Sequence, residues 1–270
     1  MYENGYEVAH HYIGVDGLPC LTNEQIAGWK SEYDNGKEVK RRFLGIDNKP
    51  CLNSDGYAGW KSVYENGNEV ERHFLGLDDR PCLDKNGIAG WKASYENDLQ
   101  VKLCFFGLDG KACLASLQIA GWSSVYEKGK EVERHFYGVD GSPCLAVNQI
   151  AGWKSVFEKG MEVERHFFGL DGKPCLSDEQ VAGWKSVFEK GVEVKRHFFG
   201  IDGNPCLHRD GFASYRITSA ISKGNRKEVC FFDLDGDDCN CTGGFNRAII
   251  EINPQGEWKI IKKYKSEIID

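Results

Sequence analysis

The chain has 270 residues, enough for one large domain or two small ones. Its 41% hydrophobic and 12% aromatic content excludes a disordered chain, and a formal charge of −7 argues against nucleic acid as the main partner, because phosphate binding needs a basic footprint. No apolar stretch approaches the ~20 residues of a membrane helix, and Met-Tyr-Glu-Asn-Gly-Tyr-Glu lacks the basic head and apolar middle of a signal peptide. No membrane partner is expected; a cytoplasmic location is favoured, with secretion by a non-classical route as the alternative.

A 31-residue period organises the chain. Trp29, Trp60, Trp91, Trp122, Trp153 and Trp184 are 31 apart, as are Cys20, Cys51, Cys82, Cys113, Cys144, Cys175 and Cys206. Insertions are usually tolerated in surface loops, so their absence implies recent duplication or stacking too tight to admit any. Met1 falls where Val156 and Val187 sit in later units, and Tyr2 aligns with Tyr33. The first hairpin is therefore expected to be incomplete, or the chain to be a fragment of a longer array.

Within a unit, Glu162 to Gly169 is rich in β-branched and aromatic residues and lies between Lys-Gly and Asp-Gly turns, which predicts a strand. Ala151 to Glu158 is read as a second strand. Glycine precedes every tryptophan of the column, and each would cost roughly 1 kcal/mol inside a helix. The alternative is a helix, since Ser177 and Gln180 resemble a capping box and Gly191 could end it, giving a strand–helix solenoid. Two strands per unit predict an all-β, elongated tandem array of 31-residue β-hairpins over residues 1–211, with equivalent residues ~9.6 Å apart.

After Phe212 the pattern decays: Tyr215 replaces tryptophan, and Phe231 and Asp235 arrive two residues late. Residues 212–270 are expected to be a divergent last repeat and a capping β-hairpin of Arg247–Ile252 and Glu257–Tyr264 around the turn Asn253–Gly256.

Tyr64-Glu65-Asn66-Gly67-Asn68-Glu69-Val70 resembles the Tyr-Asp-x-x-Gly-Asn core of bacterial YD repeats, the units of RHS-type shells. The likeness covers about a third of each unit; the turn here is one residue shorter and the period longer. It implies β-hairpins winding into a long curved sheet, with links to carbohydrate or to enclosed cargo. Gly-Trp followed by aromatics and an Asp-Gly turn is also similar to choline- or glucan-binding wall repeats, whose units are shorter.

Three columns are candidates for chemistry. Column cysteines ~9.6 Å apart are too far for a ladder of disulfides, which needs Cα atoms about 4.4–6.8 Å apart, so they are read as reduced, buried thiols. Cys104, Cys230, Cys239 and Cys241 lie off that column, and Cys239-Asn-Cys241 is weighed as a metal site or bridge below the plain thiol reading. The tryptophans, with Trp60, Trp91, Trp122 and Trp153 as candidates, are either core or a stacking row for a glycan. Arg72-His73, Arg134-His135, Arg165-His166 and Arg196-His197 place arginine and histidine on opposite faces. They bind a partner's carboxylates or phosphates, or pair with glutamates such as Glu133 and Glu164.

Asp233-x-Asp235-Gly-Asp237-Asp238 looks like a calcium loop but lacks the glycine position and distal glutamate of an EF-hand. No metal, cofactor or catalytic constellation is expected. The expected function is a non-enzymatic repeat scaffold for protein–protein interaction, its partner a separate protein or the rest of a larger chain. The alternative is a glycan- or cell-wall-binding module.

Overall fold

A computed structural model describes residues 1–220, 226–253 and 258–265. The described residues are all strand, turn or irregular, and no helix among them is long and apolar enough to cross a membrane. The chain divides into two compact units, Met1–Gly129 with His135–Cys144, and Lys130–Arg134 with Leu145–Asp270. The change of pattern at residue 212 lies inside the second.

In the first unit β1 (Tyr2–Glu3), β2 (Tyr6–Glu7) and β3 (Ala9–His11) form the shortened first hairpin. The hairpins β4 (Gly28–Asp34) with β5 (Lys37–Leu44), β6 (Gly59–Glu65) with β7 (Asn68–Leu75) and β8 (Gly90–Glu96) with β9 (Leu99–Phe106) follow, and then β10 (Gly121–Glu127). β11 (Lys130–Tyr137) is shared between the units. The second unit continues with β12 (Gly152–Glu158), β13 (Met161–Phe168), β14 (Gly183–Glu189), β15 (Val192–Phe199), β16 (Ser214–Ala220), β17 (Arg226–Phe232), β18 (Arg247–Ile252) and β19 (Trp258–Tyr264). β3 to β10, and β12 to β19, are each a run of antiparallel neighbours.

The Trp-bearing segment is thus a strand. Ser177 and Gln180 form a turn instead of a helix cap: the Gln180 amide donates to Ser177 O at 2.9 Å, and Gln180 has φ +62°. The glycine before each tryptophan has a packing cause. A Cβ on Gly90 would lie 2.6 Å from Phe106 Cζ and closer still to Arg72 O, so the strands could not approach. Hairpin tips such as Asn66-Gly67, with φ +50° and +88°, are two-residue turns whose twist matches the strands.

Beyond each second strand a long loop folds back over one sheet face. Asp47 Oδ1 accepts the Lys49 amide, Pro50 bridges Leu44, and the Cys51 amide donates to Phe43 O. The loop returns a buried aliphatic residue, as at Ile26 and Ile88, against Trp29, Phe43, Trp60 and Phe74. Sheet face and loops are therefore the two layers that enclose the core. Successive loops are also bonded together: the Ser54 amide donates to Glu24 O at 2.8 Å, and the Lys85 amide to Asp55 O at 2.7 Å. An extra loop residue would break this ladder, which accounts for the unvarying period.

In the last repeat Ile217 opposite Val229 replaces the Ser186–Arg196 pair of the repeat before it. Val229, Ala248 and Ile250 are fully buried, and Phe212, Phe231 and Phe245 pack with them. β18 and β19 are the expected C-terminal hairpin; the Pro-Gln-Gly turn proposed for it lies outside the described residues.

Candidate functional site

The core face is lined by a ladder of alternating rings and guanidinium groups. Arg41 lies 4.1 Å from the Trp29 ring centroid and 5.9 Å from Trp60; Arg72 lies 4.1 Å from Trp60 and 5.8 Å from Trp91. In the second unit Arg134 lies 6.0 Å from Trp153, Arg165 4.1 Å from Trp153, and Arg196 3.9 Å from Trp184. Trp60 and Trp153 are buried; Trp91 and Trp122 are half-buried.

Each arginine is also held by a carboxylate. Arg72 Nε and Nη2 donate to Glu69 at 2.7 and 3.0 Å, and the Ser62 hydroxyl donates to the same carboxylate. Arg134 with Glu131, Arg165 with Glu162 and Arg196 with Glu193 repeat the pair at 2.7 Å. Residues three apart on a regular strand face opposite ways. A β-bulge joins them here: Val63 pairs Glu71 and Tyr64 pairs Glu69, so Val70 is the extra residue and Glu69 comes round to the face of Arg72. The glutamates around the Arg-His pairs thus divide. Glu131 and Glu162 hold arginine, whereas Glu133 and Glu164 lie on the other face.

On that other face His73 Nε2 lies 2.7 Å from Glu71 and His166 Nε2 2.6 Å from Glu164, and Lys92 and Lys185 of the next strand reach the same carboxylates at 3.4 and 3.1 Å. Lys154 reaches Glu133 at 3.2 Å, and half-buried His135 stands in the same column. His197 differs: burial, then Lys195 and Arg216, push its pKa below the ordinary histidine value. Within each unit the candidate residues therefore fall on two faces, arginine with tryptophan and histidine on the reverse, and Arg72, Arg165 and Arg196 are each already in contact with their own glutamate and ring.

Exposed aliphatic residues recur in the loops. Ile46, Leu77, Leu108 and Val139 in the first unit, and Leu170, Ile201 and Leu234 in the second, occupy one place, just before the aspartate of the turn, and each is more than half exposed. Leu52, Leu83 and Leu114, and Leu176 and Leu207, form a second exposed column just after the cysteines. Sequence reasoning missed these. The available signal was an apolar residue at the same position of every turn, where polar residues are the rule. Comparison with protein-family models and with curated proteins gives no match.

The cysteines are all free thiols. Cys239 belongs to the column after all, because its amide bonds Phe231 O as that of Cys206 bonds Phe198 O. Two extra residues between Ser214 and Phe232 delay it. Burial, then a loop aspartate, raises the pKa of Cys51, Cys144, Cys175 and Cys206, and Cys239 is pushed up to about 11. Thiolate is the reactive form. In the native protein at neutral pH these thiols should alkylate with iodoacetamide more slowly than free cysteine, Cys239 among the slowest, and denaturation should abolish the difference. Peptide mass spectrometry reads this; disulfide-linked column peptides would contradict it.

Among the described residues no cluster of three or more His, Cys, Asp or Glu is arranged to hold a metal ion. Asp233 Oδ1 instead accepts the Asp235 and Asp237 amides at 3.0 and 2.9 Å, the ordinary chemistry of a turn.

Proposed function

We propose that the chain is a repeat scaffold that docks an extended segment of protein, from a separate partner or from the rest of a longer chain, along the aliphatic loop columns. The observation that carries this reading is the exposed Ile46–Leu77–Leu108 column and its counterpart Leu170–Ile201–Leu234. Contiguous exposed apolar surface on a soluble fold marks an interaction site. Successive repeats are two strand spacings apart, about 9.6 Å, and one three-residue turn of polyproline II chain spans about 9.3 Å and returns every third side chain to the same face, so one apolar side chain in three would meet one repeat each. Tryptophan faces covered by guanidinium groups favour this reading over sugar stacking.

Panning a random peptide library against the chain is expected to enrich peptides with apolar residues at every third position. Their affinity should fall on the order of tenfold for Leu77→Asp/Leu108→Asp, the loss of one or two apolar contacts. No enrichment, or equal binding to the variant, would reject the reading. A tryptophan emission shift on adding oligosaccharides would favour the carbohydrate alternative.

A further inference from the structure

The hairpin tips lie at the opposite ends of the strands from the loops, and there the first unit carries a repeated groove. Within a hairpin seven residue pairs are in register, but between hairpins only three are, from Lys40–Lys61 to Arg42–Gly59 and from Glu71–Lys92 to His73–Gly90. The bulge valines Val39 and Val70 line the space where the ladder stops. One groove, of 550 Å³, lies between Asp34, Val39 and Lys37 on one hairpin and Tyr64 and Gly67 on the next. The second, of 580 Å³, is made by residues 31 further on: Glu65, Val70 and Asn68, then Tyr95 and Asp98.

The two grooves are filled differently. Lys37 crosses the first, its Nζ 5.7 Å from the Tyr64 ring centroid and donating to Gly67 O at 2.9 Å. Asn68 takes the place of Lys37 in the second, and its short amide stops at Asp98 Oδ1, 2.9 Å away. Among the described residues no cation lies over Tyr95. The charged residues that line the first groove, Asp34, Lys37 and Lys61, carry a net charge of +1, and those that line the second, Glu65, Glu71, Lys92 and Asp98, a net charge of −2, with Lys92 held by Glu71.

We propose that the groove between Val70 and Tyr95 binds a primary alkylammonium group, the group that Lys37 supplies to the groove before it. The alkyl stem lies along Val70, the ammonium faces the Tyr95 ring, and the Asp98 and Glu65 carboxylates neutralise it. The preceding groove shows the fit, and the charge difference supplies the attraction. A lysine side chain of a partner peptide and the end of a free polyamine share this chemistry. The site is on the opposite sheet edge from the aliphatic columns and does not depend on docking there.

The test is an amide chemical-shift titration of the whole chain with acetyl-Ala-Lys-Ala-amide in one arm and spermidine in the other. Saturable shifts at Asn68, Tyr95 and Asp98 are expected, and the arm that produces them identifies the source. Asn68→Lys fills the groove from within and should weaken binding on the order of tenfold. Ser142→Lys adds the same charge at an exposed loop position outside the groove and outside the aliphatic columns, and should change it by no more than about twofold. Lys37→Asn should open a second site, with new shifts at Asn35, Tyr64 and Gly67. Absence of saturable shifts with both probes at millimolar concentration, or equal weakening by Asn68→Lys and Ser142→Lys, would overturn the proposal.

Discussion

Replacing Trp60 with alanine is expected to lower stability by about 3–5 kcal/mol, the range for truncating a large aromatic residue in a core. Trp60 is 7% exposed, pairs with Phe74 across its hairpin and has arginines on either side, Arg72 at 4.1 Å and Arg41 at 5.9 Å. Alanine would leave a cavity that its neighbours cannot fill, because the loop hydrogen bonds fix the distance between repeats. Arg72 would keep Glu69 but lose the ring face, a further ~0.5–1 kcal/mol. Trp91 supplies the comparison: it is half-buried, and Arg72 at 5.8 Å is the nearer arginine on its ladder, with Leu103 in the next arginine position. Trp91→Ala should therefore cost less. Urea denaturation followed by circular dichroism measures both. A loss below ~1 kcal/mol for Trp60→Ala would mean that the ring is not the core element described.

Trp60 also shows how far the fold could be read from the chain. Its column, the glycine before it and the Asp-Gly and Asn-Gly turns were enough to define a two-stranded repeat, because period and turn chemistry are local properties. What the glycine is for was not legible. Its constraint comes from Phe106 and Arg72 O in the cases like Gly90, which are distant in sequence. The partner of Arg72 was hidden for a different reason. Strict alternation puts Glu69 on the wrong face, and only the extra residue Val70 reverses it. The exposed Ile46 and Leu77 were passed over because they sit inside turns that Asp and Gly already explain. The groove at Tyr95 depends on where two neighbouring ladders stop, a property of two hairpins together and of neither alone.

A second large effect is expected where the ladder changes composition. In the repeat containing β8 and β9, Ala93, Gln100 and Leu103 stand where the preceding repeat has Ser62, Glu69 and Arg72. Ala93 pairs Leu103 as Ser62 pairs Arg72, so the polar set and the apolar set occupy one site in the same register. All three positions change together, and the cause is electrostatic. Glu69 is only 18% exposed at its side chain, and its carboxylate is held by Arg72 and Ser62. Arg72→Leu alone would leave that carboxylate without its cation. Losing one partner of a buried pair costs about 3–5 kcal/mol, but Arg72 is 26% exposed and water can reach the site, so about 2 kcal/mol is expected. Glu69→Gln alone should cost a similar ~1–2 kcal/mol by leaving the guanidinium without its anion. The triple variant Ser62→Ala/Glu69→Gln/Arg72→Leu installs the complete apolar set and should lie within ~1 kcal/mol of the parent, although its single changes sum to far more. Denaturation of the singles and the triple gives the coupling directly. If the triple is as unstable as the sum of its parts, the three residues act independently and the neighbouring repeat's Ala–Gln–Leu set is not a substitute for Ser–Glu–Arg. If it recovers, the ladder tolerates either set complete and neither set in part, because a carboxylate or a guanidinium confined between stacked repeats must have its counterion or be absent.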